Sequence, residues 1–303
     1  MAFPESILIN EVSPRDGLQS QPNMVDLAQK KRWLSLLAQS GLKAIELTSF
    51  VSPSVVPQLS DAETLMSEVP RNGVKWSALV PNLRGYERSQ SVACESIAVF
   101  TAASEAFCQA NTRCSIKQSL SRFKPVIAAA KSNQVFVRGY ISCAWGCPFD
   151  DYIGYDRICL LANELMMLGC DQICLADTTG TAIPENVEQL ISSCIEEYGV
   201  ERIACHFHDN FNLAIINAYV ALSNGIKHLD CAVAGLGGCP AIPYAGGNLS
   251  TEDLVSLCDK IGIETGVNLA KLSEAGQFIC NALNISNRSK TGVSMIHQAK
   301  SPI

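Results

Sequence analysis

The chain has 303 residues, of which 48% are hydrophobic and 17% charged; that is enough apolar material for one large barrel or two ordinary domains, and it excludes a disordered chain. A formal charge of -6, from 23 Lys+Arg against 29 Asp+Glu, gives no basic face for nucleic acid or an anionic membrane, so neither partner is expected. The 14 cysteines, many inside apolar runs, read as reduced thiols of a cytoplasmic protein; the opening MAFPESILIN lacks a secretion-signal pattern, and no apolar run approaches the ~20 residues of a membrane span.

Short β-rich runs recur in chain order at Ile7–Val12, Lys43–Ser49, Val74–Val80, Ser96–Thr101, Val135–Cys143, Gln172–Ala176, Arg202–Phe207 and Lys227–Val233. Amphipathic stretches such as Leu27–Gln39, Cys114–Ala130, Asp156–Leu168, Pro184–Glu197 and Leu213–Ser223 lie between them, with glycine stops at Gly41, Gly169 and Gly225. Eight βα units predict an α/β fold, a (β/α)8 TIM barrel with a C-terminal helical addition, in which Thr251–Ile261 and Leu269–Leu283 supply the last outer helix and the addition. Residues 1–303 then form a single domain, with 264–303 a peripheral extension. An open doubly wound sheet would normally carry a Gly-rich turn after its first strand, and Glu11–Gly17 has no G-x-G-x-x-G.

Barrel active sites sit where the strands end, so position along each βα unit filters the polar residues. Ser13-Pro14-Arg15-Asp16-Gly17 follows the first strand, Glu46 and Thr48 lie two apart in the second, the sixth runs into Asp177-Thr178-Thr179-Gly180, and the seventh ends in His206-Phe207-His208-Asp209. Residues two apart on a strand share a side, so His206 and His208 can present two imidazoles together, and two of only four histidines fall here. Asp16 can add a carboxylate to a site for magnesium, manganese or zinc; the ligand set does not choose among them. The structural alternative is a pair of satisfied core histidines. After the eighth strand, Ala234-Gly235-Leu236-Gly237-Gly238-Cys239-Pro240 and Gly246-Gly247-Asn248 form a glycine-dense loop able to close over a substrate, with Cys239 inside it. Asn248 can donate its amide oxygen to a metal or cap the helix starting near Thr251, and spacing alone does not separate the two.

Four segments resemble the 3-hydroxy-3-methylglutaryl-CoA lyase family of metal-dependent TIM-barrel lyases: Glu11-Val12-Ser13-Pro14-Arg15-Asp16-Gly17-Leu18-Gln19, Thr48-Ser49-Phe50-Val51-Ser52-Pro53, Arg138-Gly139-Tyr140-Ile141-Ser142-Cys143 and Gly235-Leu236-Gly237-Gly238-Cys239-Pro240. They stand in the family's order and near its spacing, and the resemblance runs from about Ile7 to Asn284. It implies cleavage of 3-hydroxy-3-methylglutaryl-CoA to acetyl-CoA and acetoacetate by retro-Claisen carbon–carbon cleavage, a step of leucine degradation, in a protein that pairs as a homodimer. It also implies Asp16, His206, His208 and Asn248 as ligands of a divalent cation, magnesium or manganese ahead of zinc. Arg15 would stabilise the enolate oxygen, Cys239 would act in proton transfer, Glu46 and Asp177 would be active-site carboxylates, with Asp177 or a histidine such as His206 as base, and Glu11 and Arg138 would bind substrate. Interior ion pairs are the structural alternative for Glu11, Glu46, Arg138 and Asp177.

The chain departs from the family near the substrate. Ser20-Gln21-Pro22 replaces an acidic-basic pair, the loop reads Cys239-Pro240-Ala241-Ile242-Pro243-Tyr244-Ala245-Gly246-Gly247-Asn248, and Ala176-Asp177-Thr178-Thr179 and Asp209-Asn210-Phe211-Asn212 also differ from common forms. These differences favour, as a second reading, a lyase for another tertiary 3-hydroxyacyl-CoA. A condensing synthase fits the loop poorly and would bring a further C-terminal region; a carboxyltransferase would need a barrel lysine where Cys143-Ala144 stands. A scaffold without turnover would have lost part of its polar site.

Overall fold

A computed structural model describes residues 3–70, 73–150, 153–238 and 246–300, without the last two side chains. Eight parallel strands close in sequence order into one barrel: β1 (Leu8–Glu11), β2 (Ala44–Ser49), β3 (Lys75–Leu79), β4 (Ser96–Ala102), β5 (Phe136–Ser142), β6 (Gln172–Asp177), β7 (Ile203–Phe207) and β8 (His228–Cys231), which pairs back onto β1. The helices are α1 (Leu27–Gln39), α2 (Ala62–Glu68), α3 (Leu83–Gln90), α4 (Glu105–Thr112), α5 (Ile116–Ser132), α6 (Tyr155–Leu168), α7 (Pro184–Tyr198), α8 (Ala214–Ser223) and α9 (Thr251–Ile261), then α10 (Leu269–Leu283) and α11 (Lys290–Lys300). This is the TIM barrel the sequence predicts, and all eight expected strands are present. Among the described residues no helix is long and apolar enough to cross a membrane, and no disulfide forms.

Local chemistry sets the helix ends. Asp26 accepts from the amide of Gln29, whose side chain returns a bond to the Asp26 amide, and Ser115 and Gln118 do the same for α5. The period of two then sorts each strand. On β5, Val137 and Ile141 join the apolar shell between strands and helices, while Arg138, Tyr140 and Ser142 face the lumen. That shell includes Trp33, Leu37, Leu165, Ile191 and Leu222, all essentially inaccessible, and each such side chain contributes about 1.5–3 kcal/mol when fully buried. Inside the barrel the apolar cluster is only Leu79, Ala98, Tyr140, Cys174 and Ala204, with Phe100 against it. The outer shell therefore supplies most of the apolar stabilisation, and the lumen is free to hold charge.

Of the segment 264–303, expected to be peripheral, residues 267–285 are part of that shell. Helix α10 packs on both α1 and α9, and Leu272, Ala275, Ile279, Cys280 and Leu283 are fully buried. Its apolar face fills the seam where the ring of helices returns to its start.

Candidate metal centre and active site

After β1 the chain makes one wide turn in which the Val12 carbonyl accepts from the amides of Arg15 (3.2 Å), Asp16 (2.7 Å) and Gly17 (3.2 Å). The turn brings Arg15 and Asp16 over the barrel mouth, and β7 brings His206 and His208 to the same place. Ligand atoms of Asp16, His206 and His208 lie within 4.8 Å of one another, the one such grouping among the described residues. Both imidazoles already have a partner on one side: His206 Nδ1 lies 3.3 Å from Asp230 Oδ2, and His208 Nδ1 lies 2.8 Å from the Asp177 carbonyl oxygen. With Nδ1 occupied, Nε2 is the nitrogen left for a cation, the arrangement usual for histidine ligands.

Asn248 completes the group. Its Nδ2 donates to Asp16 Oδ2 (2.9 Å) and to the Leu236 carbonyl (2.8 Å), while its Oδ1 is buried without a hydrogen-bond partner. An orphaned buried acceptor beside a carboxylate and two imidazoles fits a divalent cation held by mixed oxygen and nitrogen donors. The capping alternative falls to Ser250, whose side chain accepts from the Asp253 amide at the start of α9. Burial works against the Asp16 carboxylate, but Arg15, His206 and His208 hold it below the usual carboxylate range. Burial, together with the neighbouring His206, lowers His208 to about 4, so its ring is neutral and able to coordinate at neutral pH.

A cavity of about 220 Å³ opens at this end of the barrel, lined on its polar side by Arg15, Asp16, His206 and His208 and on its apolar side by Val51, Val55, Phe100 and Phe107. Arg15 donates through Nε to Glu46 and through Nη1 to Asp16. Tyr140, with a single hydroxyl proton, donates it to Asp230 (2.6 Å), and the same hydroxyl lies 3.2 Å from Glu46 Oε2. Glu46 is thus a buried brace for Arg15 beneath the cavity rather than part of its wall.

Three of the other expected residues lie away from the cavity. Glu11 is out of phase with the lumen-facing Asn10; it accepts from the amides of Ser13 (3.1 Å) and Val233 (3.0 Å) and from Thr251 Oγ1 (2.7 Å), and so ties β1 to the last βα unit. Asp177 is out of phase with Ala176, which does line the cavity; its carboxylate takes the amides of Thr181 (3.2 Å) and Ala182 (3.1 Å), and burial raises it to about 6. Its direct link to the site is its own carbonyl, which supports His208. Arg138 faces the lumen two layers lower, bound to Gln172 (2.9 Å) and Asp230 (2.6 Å). Cys239 lies outside the described residues; the described chain stops at Gly238, on the cavity wall. Sequence reading passed over Asp230 and Tyr140, which sit in mid-strand; their signal was a polar side chain in phase with the histidines.

A closed parallel barrel with two imidazoles and a carboxylate at the strand ends defines an enzyme of the metal-site barrel class. Residues 6–279 match the HMGL-like family model. Hydroxymethylglutaryl-CoA lyase of Pseudomonas mevalonii is 41% identical over 292 residues, 96% of this chain and 97% of that one. The crystal structure of hydroxymethylglutaryl-CoA lyase from Pseudomonas aeruginosa is 42% identical and superposes with a TM-score of 0.94 over 99% of this chain and 100% of that one. An HMG-CoA lyase from Acinetobacter baumannii, solved in complex with coenzyme A and 3-methylmalate, is 32% identical with a TM-score of 0.92 over 100% and 97%. The chain belongs to the HMGL-like family.

Proposed function

We propose that this chain cleaves 3-hydroxy-3-methylglutaryl-CoA to acetyl-CoA and acetoacetate. It is a carbon–carbon lyase, and the observation that carries the reading is Arg15 standing beside the Asp16, His206 and His208 group on the wall of one cavity. Asp16, His206, His208 and Asn248 would hold the divalent cation, magnesium or manganese in this proposal. When bound, such an ion lowers the pKa of a substrate hydroxyl and polarises carbonyl oxygens.

The chain's own residues divide the rest. Loss of the 3-hydroxyl proton makes that carbon a ketone as the neighbouring bond breaks, and the bonding pair leaves as the enolate of acetyl-CoA. Among the described residues the titratable groups on the cavity wall are Arg15, Asp16, Tyr140, His206 and His208. With both imidazoles committed through Nδ1 to their partners and through Nε2 to the cation, Asp16 is the carboxylate left at the wall to take the proton, rather than Asp177, whose carboxylate is held by its own loop. Arg15, kept charged by Glu46 and Asp16, meets the enolate oxygen; one preorganised donor of this kind supplies ~3 kcal/mol. Cys239 delivers the proton that converts the enolate carbon to the methyl group of acetyl-CoA. A homodimer, the cytoplasm and leucine breakdown are the assembly, location and pathway that accompany this reading.

The test is acetyl-CoA release from 3-hydroxy-3-methylglutaryl-CoA, with and without a chelator, in the parent and in Cys239→Ser. We expect chelator-sensitive turnover, and in Cys239→Ser a fall in kcat of at least tenfold with unchanged metal content, since a hydroxyl is far less acidic than a thiol of reference pKa ~8.5. Rapid turnover of a different tertiary 3-hydroxyacyl-CoA with none of this one would move the assignment to that substrate.

A further inference from the structure

Asp230 receives more hydrogen bonds than any function given to it explains. It is 1% exposed at the centre of β8, directly across the strand register from His206. Its Oδ1 accepts from Asn10 (2.9 Å) and Arg138 (2.6 Å), and its Oδ2 accepts from Tyr140 (2.6 Å) and faces His206 Nδ1 at 3.3 Å. A carboxylate this deep is costly unless its charge and lone pairs are met, and here they are. Arg138 stands against it as a counter-charge, and Asn10 and Tyr140 donate to its other lone pairs. An ionised carboxylate has no proton to offer, so a neutral His206 ring must place its hydrogen on Nδ1.

We infer that Asp230 is a positioning residue: it locks His206 in the Nδ1–H tautomer and so presents Nε2 to the cation, while Arg138 is the counter-charge that keeps Asp230 a carboxylate. This rests on the reading of Asp16, His206 and His208 as a metal site. It also gives Arg138 a task from below the site, two hydrogen bonds away from it, in place of substrate contact. The two histidines become unequal ligands, since His208 leans on a neutral carbonyl and His206 on a full charge, which makes His206 the stronger donor.

The informative substitution is Asp230→Asn. Asn10 and Arg138 both donate to the Oδ1 side, so the amide oxygen must take that place and the amide nitrogen must take the place of Oδ2. Its N–H then points at His206 Nδ1 and forces the hydrogen onto Nε2, where it blocks coordination. Metal-free protein is titrated with manganese by calorimetry, and the ring nitrogens are read by 15N NMR at a pH well above the imidazole range. The parent is expected to show the Nδ1–H tautomer at His206, and Asp230→Asn the Nε2–H tautomer with about 10–100-fold weaker manganese binding. Parental affinity in Asp230→Asn, or an Nε2–H tautomer in the parent, overturns the inference. The parent tautomer is decisive even where Asp230→Asn does not fold. His208→Ala separates the underlying reading: if it too binds manganese like the parent, the metal site itself is wrong, whereas loss in His208→Ala beside parental binding in Asp230→Asn removes only the role of Asp230.

Discussion

At Gly237 the backbone passes so close to the candidate ligand Asn248 that any side chain would displace it. The glycine's φ is +107°, a region L-residues rarely occupy, and a Cβ there would fall 2.3 Å from Asn248 Nδ2 and 3.4 Å from Asp16 Oδ2. Asn248 is held by that nitrogen, so moving it turns the orphaned Oδ1 away from the cation site. Gly237→Ala is therefore expected to weaken manganese affinity at least tenfold, about 1.4 kcal/mol, and to lower the unfolding free energy by about 1–3 kcal/mol through backbone strain. Calorimetric titration and denaturant unfolding of the metal-free protein read the two effects separately. Parental manganese affinity in a folded Gly237→Ala would remove Asn248 from the ligand set.

One helix start, that of α9, makes stability depend on pH. Glu252 accepts the Ala234 amide on both oxygens (3.0 and 2.9 Å) and Ser250 Oγ on one (3.1 Å), which fixes the stretch leading into the glycine-rich loop. Desolvation, eased by those amide bonds and aggravated by Glu11, raises it to about 8. The folded protein then keeps a proton that the unfolded chain, with a pKa near 4.5, has lost. The contribution of Glu252 to stability must accordingly fall as pH rises from about 5 to 8 and level off above, by on the order of 5 kcal/mol in all. Glu252→Gln cannot ionise, so its unfolding midpoint should decline less than the parent's over the same range; parallel profiles would show that Glu252 does not titrate there. Strands and long helices were legible in the sequence because apolar residues recur at fixed periods, and His206 with His208 because two imidazoles share a strand face. Strand phase was equally available and separates the rest: Glu11 and Asp177 are one residue out of step with lumen-facing neighbours, while Tyr140 and Asp230 are in step but in mid-strand. What sequence could not show is which lumen groups pair, since Asn10 and Asp230 are 220 residues apart.

Across the whole molecule, the chain beyond the eighth βα unit belongs to the folding unit. Asn23 donates to the Leu283 carbonyl (2.7 Å), the Thr291 amide to Asp253 Oδ1 (2.8 Å), and the Arg288 amide to the Ala234 carbonyl (3.1 Å), beside the first glycine of the loop. Ile279→Ala should cost about 2–5 kcal/mol by leaving a cavity in the packed shell around α10. A chain ending at residue 263 should fail to give a folded barrel by circular dichroism, and a stable, active 1–263 fragment would show that the seam closes without α10. Here too lies a consequence of the bond from Asn248 to the Leu236 carbonyl. It fastens to each other the described residues on either side of 239–245, of which 241–245 depart from the family pattern. Changing the length of a segment pinned at its base costs only a term that grows with the logarithm of length, about 0.6 kcal/mol per doubling. Substrate range and cation chemistry can therefore diverge at different speeds in descendants of this chain: residues 241–245 are open to insertion and drift, while Cys239 is fixed by its proposed chemistry and Leu236 and Asn248 by the atoms that form the cation site.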